Sequence, residues 1–113
     1  MKHSIAKYLE DVRISIEDIE NYSTGVNHAA QIENNQMLFD ALCRRFAIIG
    51  EAIYQVDKLD PDIKITDKNK IKSLRHIIVH DYDAVRAPDL LIIILKNLPI
   101  LKSEVTGLLD ILG

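Results

Sequence analysis

Apolar residues return every three or four positions along nearly all of this chain, and that period leaves few folds open. From Ile5 onward, Leu9, Val12, Ile16 and Ile19 follow at alternating steps of four and three, with Glu10, Arg13, Glu17 and Glu20 between them. A helix puts such positions on one face. The spacing predicts a helix over residues 4–22, stopped at Ser23-Thr24-Gly25, where glycine suits the left-handed turn beyond a helix end. A second, longer periodic segment runs from about Ala29 to the stretch Asp57 to Pro61 and carries Leu38, Leu42, Phe46, Ile49, Ile53 and Val56 on its stripe. Gly50 sits inside it at a cost of about 1 kcal/mol relative to alanine, which predicts a close approach of another segment there. Thr66 then reads as an N-cap with Asp67 in the first turn of a third helix, whose buried face is Ile71, Leu74 and Ile78.

Asp81 to Ala87 is turn-like, and Pro88 suits the first turn of a final helix. Leu90 to Leu95 is apolar around almost its whole circumference, so one face is expected in the core and the other under a second copy of the chain. Pro99 is expected to kink or divide this helix, and Leu101, Val105, Leu108, Leu109 and Leu112 continue its apolar side. No strand alternation, internal repeat or glycine-rich phosphate loop interrupts the pattern. The fold class is therefore all-α, an antiparallel bundle of four to five helices.

With 113 residues and 48% hydrophobic content, the chain reads as a single domain able to bury roughly two-thirds of its unfolded surface. Its net charge of -3 gives no global basic field, but the charges are unevenly placed. Residues 1–63 carry eleven acids against six bases, whereas residues 64–86 carry six bases against three acids, so a polyanion is expected to approach the second segment. Cys43 is the one cysteine; among apolar neighbours it reads as a buried structural thiol in a reducing compartment. The N-terminus lacks the apolar core of a signal peptide, and no apolar run is long enough to span a bilayer. A cytoplasmic location without membrane contact is the expectation.

The chemistry concentrates in Arg75-His76-Ile77-Ile78-Val79-His80-Asp81-Tyr82. Arginine offers a planar fork of donors to phosphate oxygens, and histidine exchanges protons near neutral pH. On an ideal helix Arg75 and His80 project about 140° apart, His76 and His80 share a face, and Tyr82, if still helical, returns to within about 20° of Arg75. Two copies facing each other across a dimer axis would gather these groups into one cleft. Such a cleft suits metal-independent RNA cleavage: one group removes the 2'-hydroxyl proton, another protonates the leaving 5'-oxygen, and Arg75 stabilises the phosphoryl charge. The bland alternative is that Arg75 caps or pairs at a helix end and His80 is a satisfied histidine. Zinc at His76 and His80 is a competing chemistry, but there is neither an H-E-x-x-H signature nor a cysteine cluster, so no metal and no cofactor is expected. Lys68, Lys70 and Lys72 form a basic shoulder that is either a solvated face or an RNA-binding rim, and Arg45 and Glu51 flank the apolar stripe either as site support or as snorkelling side chains.

The order Arg45-Phe-Ala-Ile-Ile-Gly50-Glu51-Ala52, then Arg75-His76-x-x-x-His80-Asp81-Tyr82, then Leu98-Pro99-x-Leu101 resembles the HepT family of HEPN-domain proteins over nearly the whole chain. That resemblance implies a dimerising helical bundle acting as a ribonuclease toxin. It also implies an antitoxin partner of the MntA type, a minimal nucleotidyltransferase that transfers AMP from ATP to the motif tyrosine, here Tyr82. Carried onto this chain, Arg75 is the phosphate-stabilising residue, His80 the acid/base and His76 a polar accessory. The chain departs from many relatives in lacking tryptophan, having Lys64-Ile65-Thr66 and Leu91-Ile92-Ile93 instead, which are expected to be packing positions. A non-catalytic subunit that docks a nucleotidyltransferase is the alternative function. A neighbouring nucleotidyltransferase fits both readings, whereas growth arrest in its absence fits the toxin alone.

Overall fold

The computed structural model describes residues 2–112. Six α-helical segments follow one another: α1 (Lys2–Tyr22), α2 (Ala29–Glu33), α3 (Gln36–Leu59), α4 (Lys68–His80), α5 (Ala87–Ile92) and α6 (Leu98–Leu112). A π turn over Ile93–Asn97 joins α5 to α6 without leaving helical geometry, so the last two segments form one continuous helical run. No strand occurs among the described residues, and the chain is an all-α bundle as its periodicity requires.

The stripes read from the sequence are the core. Ile5, Leu9, Val12, Ile16 and Ile19 of α1 are buried, as are Leu42, Phe46, Ile49, Ile53 and Val56 of α3 and Ile71, Leu74 and Ile78 of α4. α3 is the central helix, with α1 along one flank and α4 along another, while α6 closes over α1. α1 ends as expected, with Gly25 at a φ of 79° carrying the chain out of the helix. Ile65 and Ile93, in the two stretches where tryptophan is absent, are both buried and fill core positions.

Two expectations are corrected and a third, that Pro99 kinks or divides the final helix, is narrowed. The helix expected to run unbroken from Ala29 is split at Asn34-Asn35, because the Asn35 side chain accepts a hydrogen bond from the Leu38 N–H at 3.1 Å and caps a new helix. Asp67, rather than Thr66, is the N-cap of α4, since both the N–H and the hydroxyl of Thr66 are taken by the Glu104 carboxylate on α6. Pro99 does not divide the final helix. Its missing N–H and its ring conflict with an ordinary helical turn below it, and the wider π turn immediately before Leu98 takes up the irregularity.

Candidate functional site

The site is built on the contact between α3 and α4. A Cβ at Gly50 would lie 2.3 Å from Arg75 Cβ and 2.8 Å from its Cγ, so the absence of a side chain at residue 50 is what lets α4 come this close. The Arg75 stem therefore lies directly on α3, and its guanidinium reaches Glu51, the next residue along, with Nη2 3.0 Å from Oε2. Gln55 Nε2 donates to Oε1 of the same carboxylate at 2.9 Å, which holds Glu51 in place. Both charges of the Arg75–Glu51 pair stay partly open to solvent. The pair fixes the position of the guanidinium more than it stabilises the fold.

His76 and His80 lie on the outer face of α4, both exposed, with ring centroids 4.5 Å apart and planes tilted by 47°. The i, i+4 spacing sets this stacking, while Arg75 projects toward α3 from the neighbouring side of the helix. Exposed Val79 (51%) and Ile77 (40%) accompany the imidazoles on the outer surface of α4. Among the described residues no third histidine, cysteine or carboxylate joins the two imidazoles in a metal-holding group. At the apolar end of this surface, Ile77, Leu74, Val85, Ile92 and Ile93 line a groove of 430 Å³ between α4 and the α5 turn, with Lys70 at its rim.

A second groove, of 320 Å³, crosses α3 from α1 to α4. Arg44, Ala47, Ile48, Glu51 and Ala52 form its floor, Tyr8 and Asp11 one wall, and Arg75 and Val79 the other. Arg44 was not among the residues the sequence singled out; Arg45 was. One residue is about 100° of helix rotation, and that decides the matter. Arg45 turns toward α1 and pairs with Asp18 at 3.3 Å, while Arg44 faces the groove of Arg75.

The basic shoulder is not a free rim. Lys68 and Lys72 both reach Asp57 of α3, at 2.7 and 3.0 Å, and hold its carboxyl below the usual aspartate range. Lys70 points the other way, toward the α5 groove. Tyr82 is likewise displaced from where a continued helix would carry it. α4 ends at His80, Asp81 adopts φ -150° and ψ 63°, and Tyr82 opens a short 3-10 turn over Tyr82–Ala84. Its hydroxyl donates to Asp40 Oδ1, and its ring packs edge-on against Phe39 at a centroid distance of 5.7 Å. Partial burial, first, and the Asp40 carboxylate, second, raise the phenol above its usual pKa. Asp40 and Gly50 are ten residues apart on α3, so about 15 Å of helix rise separates the Tyr82 hydroxyl from the point where Arg75 meets α3. Tyr82 and Arg75 of one chain thus occupy different ends of the surface. Nothing local announces the Asp40 contact, which spans 42 residues of sequence.

Cys43 lies next to this tyrosine, 1% exposed, with its thiol pushed up to about 11 by burial and the Tyr82 hydroxyl drawing it part of the way back. It is a packed thiol, as expected.

The family model described as "Ribonuclease HepT-like" matches residues 12–107, which takes in Glu51, Arg75, His76, His80 and Tyr82. The chain belongs to the HepT-like ribonuclease family. No curated protein and no solved structure matches it. α4 thus carries an anchored guanidinium and two solvent-facing imidazoles, groups whose chemistry suits anion binding and proton transfer. None of the described helices is long and apolar enough to cross a membrane.

Proposed function

We propose that this HepT-like chain is the toxin of a toxin–antitoxin pair, a metal-independent ribonuclease that works as a homodimer. The observation that carries the reading is the anchoring of Arg75 by Gly50 and Glu51 beside the exposed His76–His80 pair. His80 accepts the 2'-hydroxyl proton as that oxygen attacks the phosphorus. A second imidazole, His76 or a histidine of the other copy, protonates the departing 5'-oxygen, leaving a 2',3'-cyclic phosphate. Arg75 meets the charge that develops on the phosphoryl oxygens. Glu51 holds the guanidinium until a phosphate replaces it as partner.

The second copy is argued from uncovered apolar surface. Leu90 and Ile93 are buried while Ile92 (45%) and Leu95 (58%) are exposed, so the C-terminal run keeps one face in the bundle and offers another. Ile77 shares a groove with Ile92 and Val79 is exposed farther along α4, so a second copy covering this side would place two sets of catalytic groups near each other.

The proposed antitoxin is a minimal nucleotidyltransferase: the Tyr82 oxygen attacks the α-phosphorus of ATP, the α–β anhydride bond breaks, and pyrophosphate leaves as AMP is joined to the phenol. The phenol is reachable at its rim, and its hydroxyl donates a hydrogen bond to Asp40, a carboxylate placed to accept its proton. A phosphodiester there loses that hydrogen bond and faces Asp40, Asp81 and Asp83, so like-charge repulsion favours lifting the Tyr82 turn off α3. Silencing then comes from disturbing the end of α4 or from blocking the neighbouring copy, since Arg75 of the same chain is too far to bind that phosphate.

The test is RNA cleavage in EDTA by the wild type, Arg75→Ala and His80→Ala. Cleavage by the wild type and none by either variant, at unchanged helical content, is expected. Absence of wild-type cleavage would favour the non-catalytic docking subunit, and activity that dies on chelation and returns with zinc would favour a His76/His80 metal site. With the partner enzyme and ATP, a gain of one AMP in intact mass that disappears in Tyr82→Phe checks the acceptor.

A further inference from the structure

The groove across α3 contains four formal charges besides its apolar floor, two of each sign, and three of them have ion-pair partners. Arg75 is paired with Glu51 at 3.0 Å, and Asp11 is held by Lys7 at 2.6 Å. Arg44 is exposed and makes no ion pair among the described residues. It is therefore a cation of the groove that no ion pair in the fold uses. Arg44 stands seven residues from Glu51 on the same stripe of α3, about 10 Å of helix rise, so its guanidinium lies along the groove from Arg75 rather than on top of it. Opposite, the half-buried ring of Tyr8 lines the α1 wall.

A guanidinium and an aromatic ring in one open groove match a nucleotide, with its phosphate on the first and its base on the second. We propose that this groove is a nucleotide subsite for single-stranded RNA. Arg44 binds a phosphate adjoining the one that Arg75 takes, and Tyr8 stacks a base between them. The inference rests on the ribonuclease reading only for its placement beside the scissile phosphate. The unpaired charge and the ring stand independently of it. Arg44 does not touch the reacting phosphorus, so its contribution is to binding and to register.

The full chain is tested with a fluorescein-labelled 2'-O-methyl oligoribonucleotide, which lacks the attacking hydroxyl and so reports binding without cleavage. Anisotropy is followed across a salt series, and cleavage of the unmodified RNA is measured beside it. Arg44→Ala is expected to weaken binding and to lower the slope of log K against log salt by about 0.7, the loss of one phosphate contact on a single strand. Its KM should rise while kcat is kept. Arg44→Lys should restore the slope, and Arg45→Ala, whose arginine is paired with Asp18, should leave it unchanged. Tyr8→Ala should weaken binding at an unaltered slope, and Tyr8→Phe should bind as the wild type does. If the wild type cleaves RNA and Arg44→Ala matches it in slope and KM, the subsite is wrong and the ribonuclease stands. If the wild type binds the oligonucleotide with an Arg44-dependent slope but cleaves nothing, the subsite stands and the ribonuclease reading falls.

Discussion

Replacing Gly50 with alanine tests whether the contact that positions Arg75 is as close as its geometry says. In a helix the change should be favourable by about 1 kcal/mol, because alanine orders more cheaply than glycine. Here the new methyl would meet Arg75 Cβ at 2.3 Å, Cγ at 2.8 Å and the Ile71 carbonyl oxygen at 3.2 Å. Carbon atoms rest at roughly 3.5 Å or more, so α4 must retreat by about 1 Å. Neither Arg75 Cβ nor the Ile71 carbonyl can swing aside, being fixed to the backbone of α4, and the retreat loosens Ile71, Leu74 and Ile78 against α3. Overpacking of this kind costs about 1–3 kcal/mol, and set against the propensity gain it leaves a net loss of up to about 2 kcal/mol. At a mid-range urea m-value of about 2 kcal/mol/M, the midpoint should fall by up to about 1 M. Gly107→Ala is the matched control: a Cβ there meets nothing within 4 Å, so that variant should keep the propensity gain and be stabilised. Cleavage by folded Gly50→Ala should also fall, because Arg75 moves with α4. If Gly50→Ala gains stability as Gly107→Ala does, the close approach is wrong, and with it the account of how Arg75 is held.

Asp57 should contribute to stability in a pH-dependent way. Hydrogen bonds from Lys68 and Lys72 depress its pKa, so its contribution is present above the ordinary value of 3.8 and is lost as pH falls through the lower folded value. Asp57→Asn should be less stable than the wild type at pH 7, and the two should converge in urea titrations taken well below pH 3.8. A constant difference across the acid range would refute the pairing. Cys43, with its thiol at about 11 and 1% exposed, should resist a thiol reagent at pH 8 in the native protein and react in urea. Rapid native labelling would place it outside the core. Sedimentation at micromolar concentration should give a dimer, and replacing both Ile92 and Leu95 with serine should shift it to monomer; a monomeric wild type would remove the composite cleft.

Periodicity alone was enough for the buried stripes of α1, α3 and α4, because a residue's face on a helix follows from its spacing to neighbours three and four positions away. The left-handed Gly25 and the crowded Gly50 were legible for a related reason: glycine at a helix end, or inside a good helix, has a local cost that calls for an explanation. The adjacency of His76 and His80 also came directly from their spacing. The pairings between helices could not be read in this way. Lys68 and Lys72 look like a free basic run until Asp57 comes to lie beneath them, Thr66 looks like a cap until Glu104 takes its N–H, and Tyr82 looks like a neighbour of Arg75 until Asp40 captures its hydroxyl. The choice between Arg44 and Arg45 is the same problem in its smallest form. The sequence by itself determined that Arg45 lies beside an apolar stripe and drew no distinction in favour of Arg44. Only the packing of α1 on one flank of α3 and α4 on another decided that Arg45 meets Asp18 while Arg44 faces the groove, because a charge is claimed by whatever group the fold brings within a few ångströms, however distant that group is along the chain.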